Sequence, residues 1–435
     1  MTTINRRTFL LSTAGVAASR LRIASANDRV SVAVIGVRGR GREHIELFAK
    51  NPGSCVAALC DIDRAETEKA VAAVEKVQGM KPAVYQDLRK LLEDKEIDAV
   101  TIATCNHWHA LATVWACQAG KDVYVEKPAS HNVWEGRKMV EAARKYGRIV
   151  QTGMQSRSIA HKRRAIELLR QGAIGQVYMA KGLCFKRRRS IGKGGDGPVP
   201  DGVDYDLWRG PAAMRPFNSN RFHYNWHWFW DTGNGDIGNQ GVHEMDVARW
   251  GLGKSTLPRR VYSSGGKFGY DDDQETPNTQ LATFDYGDCQ LVFEVRGLLT
   301  GGESSIAFDG TNFIGNLFLG TEGTMSVDLR GFQIYRGEKR ELAEQMDHAE
   351  PRAWDTAPLV ANFLAAVRSR RQTELTADIE EGHLSAALCH MANVSYRTGR
   401  VLEFDPESET FGSDLEANGY LSREYREPFV VPSKV

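Results

Sequence analysis

The sequence predicts an α/β protein: an N-terminal doubly wound parallel sheet, then an α+β domain with a large, open, mostly antiparallel sheet. Three observations predict it. Between residues 29 and 152, apolar strand-like runs alternate with helical stretches, the pattern of strands joined by crossover helices. After Gly153 the texture changes to short runs of period two separated by turn signals such as Tyr286-Gly287-Asp288, the pattern of an antiparallel meander. The length, 435 residues with 42% hydrophobic and 26% charged, suits a globular chain of two domains.

The elements follow in order. Val30-Ser31-Val32-Ala33-Val34-Ile35 is nearly continuous in apolar residues, as a strand buried on both faces should be. It runs into a glycine run, Gly36 to Gly41, and then a helix over 43–49. A second strand covers 56–60, and another 99–103. A helix from His109 to Ala119 stops at Gly120. Runs at 123–125 and 149–150 continue the series. A helix over about 160–170 leads into Val177–Phe185, which alternates with period two. A loop rich in glycine, proline and aromatics occupies about 190–235. Strands then follow at about 259–264, 279–286, 289–296, 314–319, 323–328 and 332–336. A helix at about 357–370 sets Leu359, Val360, Phe363, Leu364 and Val367 on one face; another at about 379–398 ends at Gly399. The expected organisation is a leader over 1–26, a nucleotide-binding domain over 27–152 and a substrate domain over 153–435.

The formal net charge is +1, so no overall field draws the chain to nucleic acid or to an anionic membrane. The local basic run Lys186–Arg189 reads as a solvated loop edge, with an acidic or phosphorylated sugar left open. The segment Asn5-Arg6-Arg7-Thr8-Phe9-Leu10-Leu11 puts twin arginines before an apolar run, and Ala24-Ser25-Ala26 offers a small-residue cleavage site. A twin-arginine leader is expected, with export to the periplasm or beyond. Its apolar run is too short for a permanent anchor, and no later stretch is long enough to provide one. The seven cysteines are scattered and show no metal spacing; neither a disulfide scaffold nor a metal site is expected.

Four stretches carry chemistry. In the first, Gly36, Arg38, Gly39, Arg40 and Gly41 form the candidate phosphate loop. Against G-x-G-x-x-G, Gly36 and Gly41 match, Arg38 takes the middle glycine position, and Gly39 is its permissive neighbour. Backbone N–H groups at a helix start hold a pyrophosphate. Asp61 follows the second strand, where an acid accepts from the ribose hydroxyls and repels a 2′-phosphate. That favours NAD and leaves NADP open. In the second, Thr104-Cys105-Asn106-His107-Trp108-His109 lies at the carboxyl edge of a strand; Thr104, Asn106 and His109 are the candidates to touch a cofactor, with no catalytic role for either histidine. In the third, Glu126-Lys127-Pro128 closes the strand at 122–125, where open α/β sheets place ligands, and its X–Pro bond is the kind that adopts cis at modest cost. The fourth is Asn220 to Asp231, dense in aromatics, amides and imidazoles, which suits the faces and edges of a sugar. His223 and Trp226 are its candidates, with Arg157 and Lys186 added as substrate-binding cations.

The order of Gly36–Gly41, Asp61, Thr104–His109, Glu126-Lys127-Pro128 and Gly233–His243 resembles the glucose–fructose oxidoreductase, inositol dehydrogenase and rhizopine-catabolism (Gfo/Idh/MocA) family over nearly all the chain after the leader. The resemblance implies a Rossmann domain and an open-sheet α/β domain with a nicotinamide cofactor between them, and pyranose, cyclitol or related polyol substrates. It implies that Lys127 and His243 lie at the reacting alcohol. Asn239 stands where the family usually has aspartate, which puts a strict Lys–Asp–His relay in doubt. An amide keeps hydrogen bonding but loses the charge that would hold a protonated imidazole. Lys127, His243 and Asn239 are therefore the candidate catalytic residues, and Asn239 and His243 also face the substrate. Glu126 and Lys127 are placed at the cofactor.

An exported enzyme of this kind cannot draw on cytoplasmic NAD. The expected function is an NAD(P)-dependent oxidoreductase for a secondary alcohol of a sugar, cyclitol or glycoside, with a tightly bound, internally recycled cofactor. The alternative is an epimerising or glycoside-cleaving enzyme that oxidises its sugar transiently. A rival of another class is a sugar-binding or sensing protein on the same scaffold. The open sheet face predicts a homo-oligomer, a dimer or tetramer.

Overall fold

A computed structural model describes residues 29–302, 306, 308–309, 312–347 and 355–435. The leader expected over residues 1–26 lies outside the described residues.

The first layer system is built on six parallel strands. In chain order the elements are β1 (Val30–Ile35), α1 (Arg40–Lys50), β2 (Ser54–Cys60), α2 (Arg64–Gln78), β3 (Ala83–Tyr85), α3 (Leu88–Leu92), β4 (Ala99–Ile102), α4 (Asn106–Gln118), β5 (Asp122–Val125), α5 (Val133–Lys145) and β6 (Val150–Thr152). The sheet order is β3-β2-β1-β4-β5-β6. The chain winds outward in both directions from β1 and β4, so the crevice opens at their carboxyl ends. Val32, Val34, Ala99, Val100 and Val123 are fully buried, because helices cover both faces of the sheet. This is why these strands read as apolar runs and not as alternating ones.

The second part contains α6 (Ala160–Arg170), β7 (Val177–Phe185), α7 (Tyr205–Arg209), α8 (Gly235–Asn239), α9 (Gly241–Gly251), β8 (Arg260–Gly266), β9 (Thr279–Asp285), β10 (Gln290–Arg296), β11 (Phe308–Asp309), β12 (Asn312–Gly320), β13 (Gly323–Asp328), β14 (Gly331–Arg336), β15 (Glu341–Asp347), α10 (Ala357–Ser369), α11 (Ile379–Thr398), β16 (Leu402–Glu403) and α12 (Leu415–Gly419). Ten strands form one sheet, ordered β15-β14-β13-β12-β7-β10-β9-β8-β16, with β11 paired to β12. The expected meander is present but split: β7 inserts between β12 and β10, and its pairing with β10 is parallel.

Helix α9 lies close on the inner face of this sheet. A Cβ at Gly241 would stand 2.4 Å from the Phe293 ring, and one at Gly251 2.2 Å from the Phe318 ring. Helix α11 is buried along most of its length and is wedged between α5 of the first sheet system and β8 and α9 of the second. The outer sheet face carries exposed Tyr262 and Leu281.

Candidate active site

Strand β1 delivers Gly36 to the crevice with φ +84°. A Cβ there would lie 2.7 Å from the Ala103 carbonyl oxygen, and one at Gly41 would lie 1.8 Å from that of Gly36. These two glycines are fixed by contact. Gly39, at φ +50°, has open space around it and is needed only for its backbone conformation. Arg38 points to solvent at the cavity mouth, so its side chain does not fill the cradle. Helix α1 starts with no side-chain cap; the Gly41 and Arg42 N–H groups close its first turn on the Arg38 and Gly39 carbonyls, at 2.9 and 3.2 Å, and the positive end of the helix dipole still favours an anion there.

Asp61 closes the nucleotide end. One carboxylate oxygen accepts from the Val37 N–H at 2.8 Å and the other from the Asp63 N–H at 2.9 Å. Burial nevertheless pushes its pKa up to about 6. Asp63 caps α2 through Ala65 and Glu66.

The far wall is assembled from both sheet systems. Lys127 follows β5 across a cis bond to Pro128. Its Nζ donates to the Asn239 backbone carbonyl oxygen at 2.8 Å. Burial pushes its pKa down to about 8; Glu126 opposes this, while Arg40, Lys186 and Arg188 add to it. Glu126 is not free to pair with Lys127. It accepts from Arg40 Nε at 2.9 Å and lies 3.0 Å from His44 Nε2. Burial alone would raise its carboxyl, but Arg40 and then His44 hold it well below the usual range.

Asn239 and His243 stand on α8 and α9, on the same wall as Lys127. The Asn239 amide donates to Asp236 Oδ1 at 3.3 Å. Burial, then Lys127, pushes the His243 imidazole well below its ordinary pKa, so it is neutral at physiological pH.

At the end of β4, the two His109 ring nitrogens lie 2.7 Å from the Pro128 carbonyl oxygen and 3.1 Å from that of Thr104. His109 braces the wall. Asn106 donates to Asn234 Oδ1 at 2.9 Å; Asn234 in turn donates to the His131 carbonyl at 3.0 Å and accepts from Asn393 on its own carbonyl at 3.0 Å.

The loop of the second domain crosses back over this cleft. Asp63 and Val203 form an isolated bridge, the Arg64 N–H donates to Gly202 at 3.1 Å, and the Asp204 N–H donates to Ile62 at 2.9 Å. Trp208, Phe217, Phe222 and Trp226 pack as one cluster against Ile62 and Cys105. Under this strap lies a cavity of about 710 Å³ that reaches from Asp61 and Gly36 to Lys127, Asn239 and His243. The glycine cradle, the uncapped helix and the acid at the second strand fit a dinucleotide in that cavity.

Comparison with known proteins agrees. The description "Oxidoreductase family, NAD-binding Rossmann fold" matches residues 30–154, and "Oxidoreductase family, C-terminal alpha/beta domain" matches residues 191–431. The chain belongs to the Gfo/Idh/MocA oxidoreductase family. It carries the family's NAD-binding domain. An alpha-N-acetylgalactosaminidase of Shewanella oneidensis is 33% identical over 162 residues, which span 36% of this chain and about a third (35%) of that enzyme's length. Two solved structures share the fold. An oxidoreductase domain protein from Kribbella flavida has a TM-score of 0.66 at 17% identity, covering 86% of this chain and 99% of its own. The WlbA dehydrogenase of Bordetella pertussis, in complex with NADH and UDP-GlcNAcA, has a TM-score of 0.63 at 20% identity, covering 87% and 99%.

Within the Gfo/Idh/MocA frame, three sequence expectations need correction: those for Arg157, His223 and the basic run at 186–189. Arg157 does not reach the cleft. It is 5% exposed and forms a bidentate pair with Asp246, with Nε and Nη2 at 2.8–3.0 Å, and a further bond to Glu381 at 2.9 Å. A buried guanidinium needs such partners, and α9 and α11 supply them. His223 lies at the dinucleotide end, not with the substrate, because its Nε2 is 3.5 Å from Asp63 and its other charged neighbours are Arg38, Glu66 and Lys69. Trp226 lines the cleft, but the His227 ring stacks on it at 3.6 Å between centroids.

The basic run divides. Arg187 turns to Tyr270 and Gly297, Arg188 pairs with Asp236, and Arg189 is exposed. Lys186 lines the cleft rather than a solvated edge. Among the cleft residues that the sequence did not single out are Gln155, His227 and Gln240. Gln240 was readable as part of the Gly233–His243 motif. His227 Nδ1 contacts the Tyr224 carbonyl, so this nitrogen carries the proton and Nε2 is left as an acceptor. Burial pushes its pKa down to about 3.

Proposed function

We propose that this chain oxidises a secondary alcohol of a sugar, cyclitol or glycoside with an NAD that stays bound and is recycled in place. The observation that carries this reading is the meeting of Lys127 and His243, from different domains, on one wall of the cleft that begins at the Gly36–Gly41 cradle.

Bound NAD would supply the hydride acceptor, and recycling in place would need a second, carbonyl-bearing sugar to take the hydride back at the same site. The alcohol must also lose its hydroxyl proton, and Lys127 is suited to take it. With a pKa near 8 a useful fraction is neutral amine at neutral pH, and the Asn239 carbonyl fixes the nitrogen. Neutral His243 orients the same hydroxyl. The strap supports retention, because Phe222, His223 and Trp226 line the cavity and the loop that carries them is tied to Ile62, Asp63 and Arg64. Retention fits the export expected from the Arg6-Arg7 leader.

A second reading is favoured by the 33% match to an alpha-N-acetylgalactosaminidase. Oxidation to a ketone acidifies the neighbouring C–H, a base removes that proton, the glycosidic oxygen leaves, water adds, and the hydride returns. Net hydrolysis results with no net consumption of NAD.

The test uses protein purified without added nucleotide. Denaturation should release NAD(H), identified by mass. The intact protein should change its cofactor absorbance when sugars are added. Product masses separate the readings: loss of two hydrogens means net oxidation, and gain of water with cleavage means hydrolysis. Empty protein, silent with every sugar, would refute both.

A further inference from the structure

The substrate end of the cleft holds positive charge that the protein does not neutralise. Its nearest carboxyl groups are already engaged or held protonated: Glu244, bonded to Gln240 and near Lys186, has its pKa pushed up by burial to about 8. Glu126 serves Arg40 and His44. Asp236 serves Arg188 through two bonds, at 3.0 and 2.6 Å, and accepts the Asn239 amide. The remaining carboxylates on the cavity wall belong to the nucleotide end: Asp61 is tied to backbone N–H groups, Glu66 pairs with Arg42 and Lys69, and Asp87 pairs with Arg89. Among the described residues, Lys127 and Lys186 form no ion pair. Lys186 Nζ has Gln240 Oε1 at 3.5 Å, the outer limit of a hydrogen bond.

The placement is specific. Lys186 leaves the carboxyl end of β7 and reaches Gln240, the residue after Asn239, whose carbonyl holds Lys127. The two ammonium groups therefore flank one short turn, and His243 follows it on α9. A dinucleotide pyrophosphate would be met at the other end, at the α1 start. Both lysines are half-buried, and two partly desolvated cations side by side are costly unless an anion joins them.

We propose that the substrate carries a carboxylate, that Lys186 receives it, and that Lys127 faces the adjoining secondary alcohol. The substrate class is thus a sugar acid, free or conjugated, such as a hexuronate. A carboxylate suits this subsite better than a phosphate, because one lysine and one amide match a single negative charge. The inference deepens the redox reading above and rests on it for the position of the alcohol.

The experiment uses the full chain with its bound cofactor and two readouts. Binding is followed by calorimetry, and cofactor reduction by absorbance, with glucuronate and galacturonate set against glucose, galactose and their 6-phosphates. The parent should bind and oxidise a uronate at least about tenfold better than its neutral counterpart, since a hydrogen bond to a charged group is worth that much, and rising salt should narrow the gap. Lys186→Gln should lose the preference while keeping its cofactor and thermal midpoint. K186E should reverse it. Equal handling of neutral and acidic sugars, a preference for the phosphates, or an unchanged preference in Lys186→Gln would overturn the proposal, as would failure of every uronate to bind. Uronate binding without cofactor reduction would keep the carboxylate subsite and sink the redox reading instead.

Discussion

The Lys127 side chain is anchored to the Asn239 main chain, with Nζ 2.8 Å from the carbonyl oxygen. The acceptor is therefore independent of the side chain at position 239. Lys127→Met should lose roughly 10²–10⁴-fold in rate, the usual cost of a proton-transfer group, while retaining NAD. Asn239→Ala should stay within about tenfold of the parent. Single-turnover reduction of the bound cofactor measures both, and equal damage from the two variants would refute the backbone anchor.

The same lysine sets a pH dependence. Its pKa is lowered to about 8, and only the neutral amine accepts a proton. Alcohol oxidation should therefore rise as pH increases through about 8, and ketone reduction, which needs the ammonium, should fall over the same range. A pH–rate profile of each half-reaction checks the sign. Lys127→Arg should remove that limb.

Restoring an aspartate at position 239 should not help. The amide there donates to Asp236 Oδ1 at 3.3 Å, so Asn239→Asp would place two carboxylates together. One of them would have a raised pKa. Activity should drop at neutral pH and recover partly on acidification, as the shared site takes up a proton. Full activity at pH 7 would show that the Asn239–Asp236 contact has no part in the site.

Asp61 makes cofactor choice depend on pH. Burial raises its pKa to about 6, and its charge is what repels a 2′-phosphate. The preference for NAD over NADP should be largest above pH 6 and shrink as pH falls through that value. Asp61→Ala should be indifferent to pH over this range. Binding of both nucleotides to protein freed of its cofactor provides the measurement.

The cradle glycines should differ in tolerance. At Gly41 a Cβ would stand 1.8 Å from the Gly36 carbonyl oxygen; Gly41→Ala should abolish cofactor retention. Gly39 has open space but a backbone at φ +50°, ψ −110°, outside the left-handed helical region, so Gly39→Ala should cost about 1–3 kcal/mol of backbone strain and still bind NAD. Thermal melts and released nucleotide distinguish the two.

The regular elements of the nucleotide domain were legible because burial on both faces writes itself as apolar runs, as in Val30–Ile35. Strand β15 was not. Glu341-Leu342-Ala343-Glu344-Gln345-Met346-Asp347 is made of helix formers, yet pairing with β14 makes it an exposed edge strand. The fate of Arg157 was hidden as well, because its partners Asp246 and Glu381 are remote in sequence and nothing local distinguishes a buried guanidinium from one in a cleft. Lys127 and His243 both line the cleft, and both could be singled out because each ends or opens an element recognisable by its neighbours. The strap could not be foreseen: residues 199–204 have no pattern that reports their pairing with Ile62, Asp63 and Arg64.

Asn234 binds Asn106 and His131 with its side chain and Asn393 with its main chain, so one residue from the second domain is pinned to the first and to α11 at once. An enzyme built this way has little hinge to bend. Its two halves should turn as a single rigid body in solution, with reorientation of the second sheet following that of the first. Substrate traffic would then be governed by side chains at the cleft rim, not by opening and closing of whole domains, and solvent viscosity should have little influence on turnover.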